Sequence, residues 1–465
     1  MESAESALNT MTRPVPQAPG ETFSVLIAGG GVAALEAVLA IAQETPGLGV
    51  ELICPTPEFE LRALTVGAPF GLQAPRRISL SKLCQRAGAK LRLDRVAEVW
   101  GSSQRVLLDS GEELFYDALL LSPGAARHEA LPGARTFGGG EDVQWFGEML
   151  DRIEHGAVRH VAFAVPAAVR WALPLYELAL MTARQARERE AHVEISFVTH
   201  ESAPLFDLGD AASDRIAELL ADAGIELVLS RAPAAFADGM LRLEDGALID
   251  ASEVVSLPSL SVAPIPGVPQ GRDGFIGTDP EMAVEGLDAV WCAGDATWFP
   301  IKQGGIAAEQ ADVAAAAIGR RAGAAGPAPT FAPVVRGALL TGDEPEFFRF
   351  EGDGAGTAST APLWWPPGKV AGRWLAPYLA REWSGGENDP LYPLEDLTVG
   401  SEEKDAARHR EALDLALRFA EVDAEQNDFD AAVRWLDVAE RLNVTLPREW
   451  SQRRIEWREL SGAER

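Results

Sequence analysis

The sequence predicts an α/β fold with two β-α-β units, followed by a smaller α+β segment and a helical tail. Three observations predict it. An apolar strand, a glycine turn and an Ala- and Leu-rich helix follow one another from Phe23; a second strand-helix-strand pattern starts at His160; and between Ala289 and Arg321 the chain returns to an apolar strand and a long Ala-rich helix. At 465 residues the chain exceeds one compact domain. Its 47% hydrophobic and 24% charged residues are ordinary for a globular protein with a large core. The charge balance is not ordinary: 70 Asp and Glu against 41 Lys and Arg leave a formal charge of -29, which repels nucleic-acid phosphates and excludes them as expected partners.

Residues 1–21 carry acids and prolines without the apolar run of a signal peptide, and read as a disordered tail. The first unit takes in 22–145 and resumes at 270–325. Its strand FSVLIAG leads through GGVA into a helix ending near Gln43, then into the strand GVELIC; AKLRL, RVLL and DALLLS add strand signals, the last ending at Pro123-Gly124. The second unit, 146–269, holds HVAFAV (160–165), the helix LPLYELALMTARQA and the strand VEISFVT. A helix over Ser213 to Ala223, the strand IELVL and short strands near Leu241 to Ile249 complete it. Residues 326–383 alternate as strands do and contain PLWWPPGKVAGRWLAPYLA. A Gly/Asn/Pro-rich linker then opens the segment 384–465, where helical spacing over Glu402 to Leu442 predicts a hairpin of two helices at most. No run of about 18 apolar residues predicts a transmembrane helix. Cys54, Cys84 and Cys292 are too few and scattered for a disulfide framework or a metal cluster, which points to the reducing cytoplasm.

The sharpest motif is Gly29-Gly30-Gly31-Val32-Ala33-Ala34, a G-x-G-x-x-G/A match directly between a strand and a helix. Gly29 permits the tight turn, Gly31 admits a pyrophosphate to the backbone, and Ala34 allows close helix-strand packing. The phosphates belong at the helix N-terminus, where N–H groups and the helix dipole favour an anion. The motif makes the first unit a Rossmann-like dinucleotide-binding domain in expectation, and the repeated strand-helix-strand pattern makes the second unit Rossmann-like as well. An acid for the adenosine ribose is due near Cys54, but Glu51 falls short of it and Glu58 beyond it. Cys54 itself reads as a small buried residue.

Two further motifs complete a resemblance. GGGVAALEA, the LLLSPGA turn over Leu119 to Ala125, and VWCAGDA over Val290 to Ala296 together resemble the two-dinucleotide-binding-domain FAD flavoproteins, nearest the sulfide:quinone oxidoreductase and type II NADH dehydrogenase group. The resemblance covers about Phe23 to Leu379. It implies FAD as cofactor, a role for Gly124 in the second turn, and Asp295 on the flavin ribityl chain. PIKQGGIAAEQA is similar to the family's Pro-Lys-x-Gly region, which places Lys302, Gln303 and Gly304 at the flavin pyrimidine ring, with Lys302 and the helix dipole opposing the negative charge of the reduced ring. Arg62, in FELRAL, matches an arginine that recurs near FAD in this group.

The family's second unit binds NAD(P)H through its own glycine turn. Here the turn is VPAAVRWALPLYE, without any glycine and with Pro166 and Pro174, so NADH is not expected as the ordinary reductant. The cysteines that sulfide oxidation requires near the flavin are absent as well. The expected function is thus an FAD-dependent oxidoreductase passing electrons between a small-molecule donor and a quinone-like or other acceptor. One alternative is a flavin-binding redox sensor that engages a protein through its helical tail, where Leu413, Leu417, Phe419, Trp435 and Leu436 recur at helical spacing. Another is an atypical NAD(P)H dehydrogenase, since Glu177 and Glu201 stand where the family's second unit has acids. The mixture of Leu363, Trp364, Trp365, Trp374, Leu375 and Tyr378 with Lys369 and Arg373 suits either domain packing or peripheral contact with the inner face of a membrane.

Overall fold

The computed structural model describes residues 22–72, 76–169, 171–327, 330–352, 354–383 and 446–463, with single helical positions between Leu417 and Leu436. The N-terminal tail expected over 1–21 lies outside these residues. The first unit contains β1 (Ser24–Ala28), α1 (Val32–Glu44), β2 (Gly49–Ile53), β3 (Lys90–Arg92) and β4 (Ala118–Leu121). The second contains β5 (Arg135–Thr136), β6 (His160–Val165), α2 (Leu173–Glu188), β7 (Glu194–Thr199), α3 (Asp210–Asp222), β8 (Glu226–Val228) and β9 (Glu253–Ser256). The chain then returns to the first unit with β10 (Val290–Cys292) and α4 (Gly304–Arg321), before β11 (Val335–Leu339), β12 (Glu346–Phe350), β13 (Thr357–Ser359) and α5 (Leu375–Trp383).

The first sheet runs β10-β4-β1-β2-β3 and the second β5-β9-β6-β7-β8, and every pairing in both is parallel. Parallel sheets are covered on both faces and so need unbroken apolar strands. The sequence supplies them: Val25, Leu26, Ile27 and Ala28 are buried, as are all four residues of β4. On the first sheet α1 packs against α4. The buried residues of both are largely alanine, and Gly319 approaches Thr45 so closely that a Cβ there would lie 2.5 Å from the Thr45 hydroxyl. A small antiparallel pairing of Ala126–His128 with Ser259–Ser261 joins the two units.

Some boundaries differ from the sequence reading. Helix α3 begins at Asp210 rather than Ser213, because Gly209 at φ +84 ends the preceding turn and caps it. Only Val290–Cys292 of AVWCAGD is strand, since Ala289 and Gly294 both have positive φ and bend the chain at either side. In the C-terminal segment Leu363, Trp374, Leu375 and Tyr378 are buried, while Trp364 and Trp365 are half-buried. The buried members of this block pack the protein against itself. No described helix is long and apolar enough to cross a membrane. In the tail, helix Arg448–Ala463 lies beyond the expected end at Leu442, and its Trp450 and Trp457 share a cluster with Leu417, Leu436 and Trp365. Leu413, Phe419 and Trp435 lie outside the described residues.

One polar feature of the core was not anticipated. Glu36 of α1 is buried and accepts the Trp374 and Leu375 N–H groups, each at 2.7 Å, and so caps α5 from another helix. Gly372 is needed beside it, as a Cβ there would stand 2.5 Å from Glu36 Oε2. Burial pushes Glu36 up to about 7 against these bonds and the opposing charge of Arg373. Asp312 of α4 is pushed up to about 9 by burial and by the charges of Glu36, Glu44 and Glu309, with Arg373 opposing. An acid whose pKa is raised on folding binds its proton more tightly in the folded state, so stability is greatest below the unfolded value and declines as pH rises through the folded one. For Asp312 this window runs from its ordinary 3.8 to about 9. Asp312→Asn, which mimics the protonated form, is therefore expected to stabilise the protein by about 0.5–2 kcal/mol at about pH 9 and by little at about pH 4. Thermal unfolding across that range checks it, and equal midpoints at high pH would remove the buried charge from the account.

Candidate functional site

Three of the sequence motifs leave the same edge of the first sheet side by side. Ala28, the last residue of β1, lies opposite Leu121 of β4, which lies opposite Cys292 of β10. The Gly29–Gly31 turn, the Pro123-Gly124 turn and the Gly294-Asp295 turn thus emerge together from the carboxyl ends of adjacent parallel strands, where ligands of open α/β sheets bind. Backbone bonds fix the three relative to one another. Gly29 donates to the Ile53 carbonyl at 2.9 Å, Ser122 N–H and Oγ donate to the Ala28 carbonyl at 2.8 and 3.2 Å, and Ala293 donates to the Leu121 carbonyl at 3.0 Å.

The glycines divide by purpose. Gly29 has φ +139, and a Cβ there would fall 2.0 Å from the Ser122 carbonyl oxygen; at Gly30 it would fall 2.2 Å from Cys54 Sγ. Both glycines are required by packing. A Cβ on Gly31 would meet nothing within 4 Å, so this residue faces an open approach, as does Gly124 at φ +72. Val32, Ala33 and Ala34 form the first turn of α1, whose N–H groups have no intrahelical acceptors. Ala33 also lies against Gly294, 3.1 Å from where a Cβ would be. The open backbone, the free N–H groups and the helix dipole suit a pyrophosphate. Neither expected acid serves a ribose obviously: Glu51 is paired with Arg92 at 2.5 Å, and Glu58 lies out on the surface near Arg77 at 3.8 Å.

The third turn carries the charge. Burial raises the Asp295 pKa, while Lys302, Arg62 and Arg127 pull it back, and no hydrogen bond from a described residue contributes. The structure therefore brings the charges of Lys302 and Arg62 to bear on Asp295, and adds that of Arg127. Arg127 follows the Pro123-Gly124 turn by three residues, in the strand Ala126–His128 that pairs with Ser259–Ser261. Asp295 does not cap the following helix. That position belongs to Gln303, whose Oε1 accepts the Gly305 N–H at 2.9 Å while its Nε2 is buried without a partner. Lys302 is buried, donates from Nζ to the Thr297 carbonyl and stands 4.2 Å from the Phe275 ring centroid. Gly304 starts α4 under Val370, whose Cγ2 would lie 2.7 Å from a Cβ.

The three thiols are free and buried, and burial pushes Cys84 up to about 11 and Cys292 up to about 12, so neither of these two is a ready nucleophile. Among the described residues no group of His, Cys, Asp and Glu could hold a metal ion. Glu177 and Glu201, the acids of the second unit, are both buried.

No protein-family model and no curated protein matches the sequence. Solved structures do match the fold. Sulfide:quinone oxidoreductase from Aquifex aeolicus superposes with a TM-score of 0.65 at 17% identity, over 73% of this chain and 87% of that one. A ferredoxin reductase from Rhodopseudomonas palustris gives a TM-score of 0.52 at 18% identity, over 70% of this chain and 81% of that one. The chain has the pyridine nucleotide-disulfide oxidoreductase fold. In this fold both Rossmann-like units expected from the sequence are present, and the identities carry no more than the architecture.

The steric account of Gly30 is open to test. Gly30→Ala is expected to cost about 1–3 kcal/mol through overpacking against Cys54 Sγ, and Cys54→Ala in the same chain to recover at least half of it. Denaturant unfolding of the two single variants and the double variant measures this. Additive losses would show that the thiol is not what Gly30 avoids.

Proposed function

We propose that this chain binds FAD and is an oxidoreductase that moves electrons between a small-molecule donor and a quinone-like or other acceptor. One observation carries the reading: the Gly29–Gly31, Pro123-Gly124 and Gly294-Asp295 turns emerge from neighbouring strands β1, β4 and β10 on one sheet edge. The residues suit the cofactor. Gly31 leaves room for a pyrophosphate beside the N–H groups of Val32, Ala33 and Ala34, and Asp295 offers an acceptor to a ribityl hydroxyl. The unpartnered Nε2 of Gln303 and the N-terminus of α4 offer donors to carbonyl and nitrogen atoms of a flavin ring.

A bound flavin supplies two-electron redox chemistry that no side chain here provides. The protein's share is to place it and to balance its charge. The charges of Lys302, Arg62 and Arg127 act on Asp295, and the same positive charge would oppose the negative charge a reduced cofactor gains. Lys302 acts from a fixed position, held by the Thr297 carbonyl and the Phe275 ring. A quinone-like acceptor is favoured by the likeness to sulfide:quinone oxidoreductase. Sulfide as donor is not favoured, because Cys54, Cys84 and Cys292 are all buried and burial holds Cys84 and Cys292 as thiols.

Purified protein is expected to show a flavin absorbance band, and Asp295→Ala to reduce retained FAD at least several-fold while leaving the thermal unfolding midpoint near wild type when FAD is added back. A variant that keeps full flavin occupancy would sink the role given to Asp295. Wild-type protein that shows no band after reconstitution with FAD would sink the reading as a whole.

A further inference from the structure

The two Rossmann-like units share a topology but not a ligand-binding end. In the first, glycine backbone faces open space at Gly31 and α1 begins with free N–H groups. In the second, with the start of α2 set on that of α1 and Glu177 on Glu36, Arg170, Ala172 and Leu175 stand at the positions of Gly29, Gly31 and Ala34. Much of the backbone of this turn is already committed. Val169 donates to the Pro166 carbonyl at 3.0 Å, Pro174 has no N–H, and Leu175 and Tyr176 both donate to the Ala172 carbonyl, at 2.8 and 3.5 Å. A pyrophosphate at the start of α2 would meet side chains where it needs backbone, and spent donors where it needs free ones.

The acids are committed too. Glu201, at the end of β7 where a ribose-binding acid is due, accepts Leu205 N–H on Oε1 at 3.1 Å and both Tyr176 OH and Thr199 Oγ1 on Oε2, at 2.7 and 2.8 Å. It is buried behind Tyr176, whose ring stacks on Phe197 with centroids 4.0 Å apart. Glu177 accepts Leu340 N–H at 2.7 Å and an ion-pair bond from Lys369, which also donates to the Ala338 carbonyl at 2.7 Å. Both of these groups come from the C-terminal segment.

That segment covers the rest of the second unit's ligand-binding end. Leu173, the first residue of α2, presses on Gly337 of β11, 2.8 Å from where a Cβ would be. Arg215 of α3 donates to Glu346 of β12 from Nε at 2.9 Å and Nη2 at 2.5 Å, and Ala211 N–H donates to the Ala355 carbonyl at 2.8 Å. Gly209, at φ +84, is needed where Ala355 and Phe350 close in.

We propose that the second Rossmann-like unit holds no nicotinamide nucleotide and is instead the seat of the chain's own C-terminal sheet, β11 to β13. The inference stands on the second unit alone. Its consequence for electron flow rests on the flavin reading: the donor belongs to another chemical class than NAD(P)H.

The test uses the full chain with FAD in excess, so that the first unit is filled. NAD+, NADH, NADP+ and NADPH are titrated separately by calorimetry, and no saturable binding is expected up to about 1 mM, the upper end of ordinary enzyme affinities. Saturable binding of any of the four below that concentration overturns the proposal. FAD content, read from the absorbance of cofactor released on denaturation, is scored independently, so a chain without FAD fails the flavin reading and leaves this one standing. The seat is tested by hydrogen exchange of peptides covering residues 335–350. Glu346→Gln and Glu177→Gln, which keep the volume but lose the charge, are each expected to speed exchange there about tenfold. Exchange as slow as in wild type in both variants would show that the second unit does not hold the sheet.

Discussion

A Cβ on Gly29 would stand 2.0 Å from the Ser122 carbonyl. That close approach of the turn after β1 to the end of β4 is the constraint on which the rest of the first unit depends. It sets two parallel strands at matched lengths, so that their loops leave the sheet at one level. With β10 added on the far side of β4, the Asp295 turn joins them, although about 170 residues of chain separate it from the Gly124 turn. The second unit is the excursion between these strands. Its insertion is tolerated because β4 and β10 are neighbours in space whatever the length of the path between them.

The sequence disclosed those parts of the architecture in which one physical signal acts alone. Unbroken apolar runs such as VLIA and ALLL can only be strands covered on both faces, and the glycine turn with its Ala-rich helix has few other uses. Long helices were legible to within a few residues for the same reason. Boundaries failed where a single backbone angle decided them, as at Gly209 and Ala289. Asp295 and Lys302 could be singled out because they are close in sequence to a motif. Arg127 also lies close to a motif, two residues past LLLSPGA, but was not singled out, because an exposed three-residue antiparallel pairing leaves no periodicity to mark it. The aromatic block around Trp374 was compatible with an interface and with a core, since composition is the same for both, and it is burial that places Leu363, Trp374, Leu375 and Tyr378 in the core.

The buried acids show how the same residue type takes different roles. Glu36 is held by backbone N–H groups at the start of α5, Glu177 by a lysine and a strand end, and Glu201 by two hydroxyls and a turn. Each has its charge opposed or its oxygens bonded, which is the condition for a carboxylate in a protein interior. Asp295 differs from them. Burial raises its pKa as well, but it is answered by the charges of Lys302, Arg62 and Arg127 and by no hydrogen bond from a described residue.

Within seven residues, the segment from Lys369 to Leu375 touches three helices in different places: Lys369 reaches Glu177 on α2, Val370 lies on Gly304 at the start of α4, and Trp374 and Leu375 are tied to Glu36 on α1. It is a clasp across both units, and it is made late in synthesis. While the ribosome is still adding the residues before it, both sheets can form but nothing holds them to this segment. The start of α4 thus gains its cover, Val370, only after the strands of both sheets have left the ribosome.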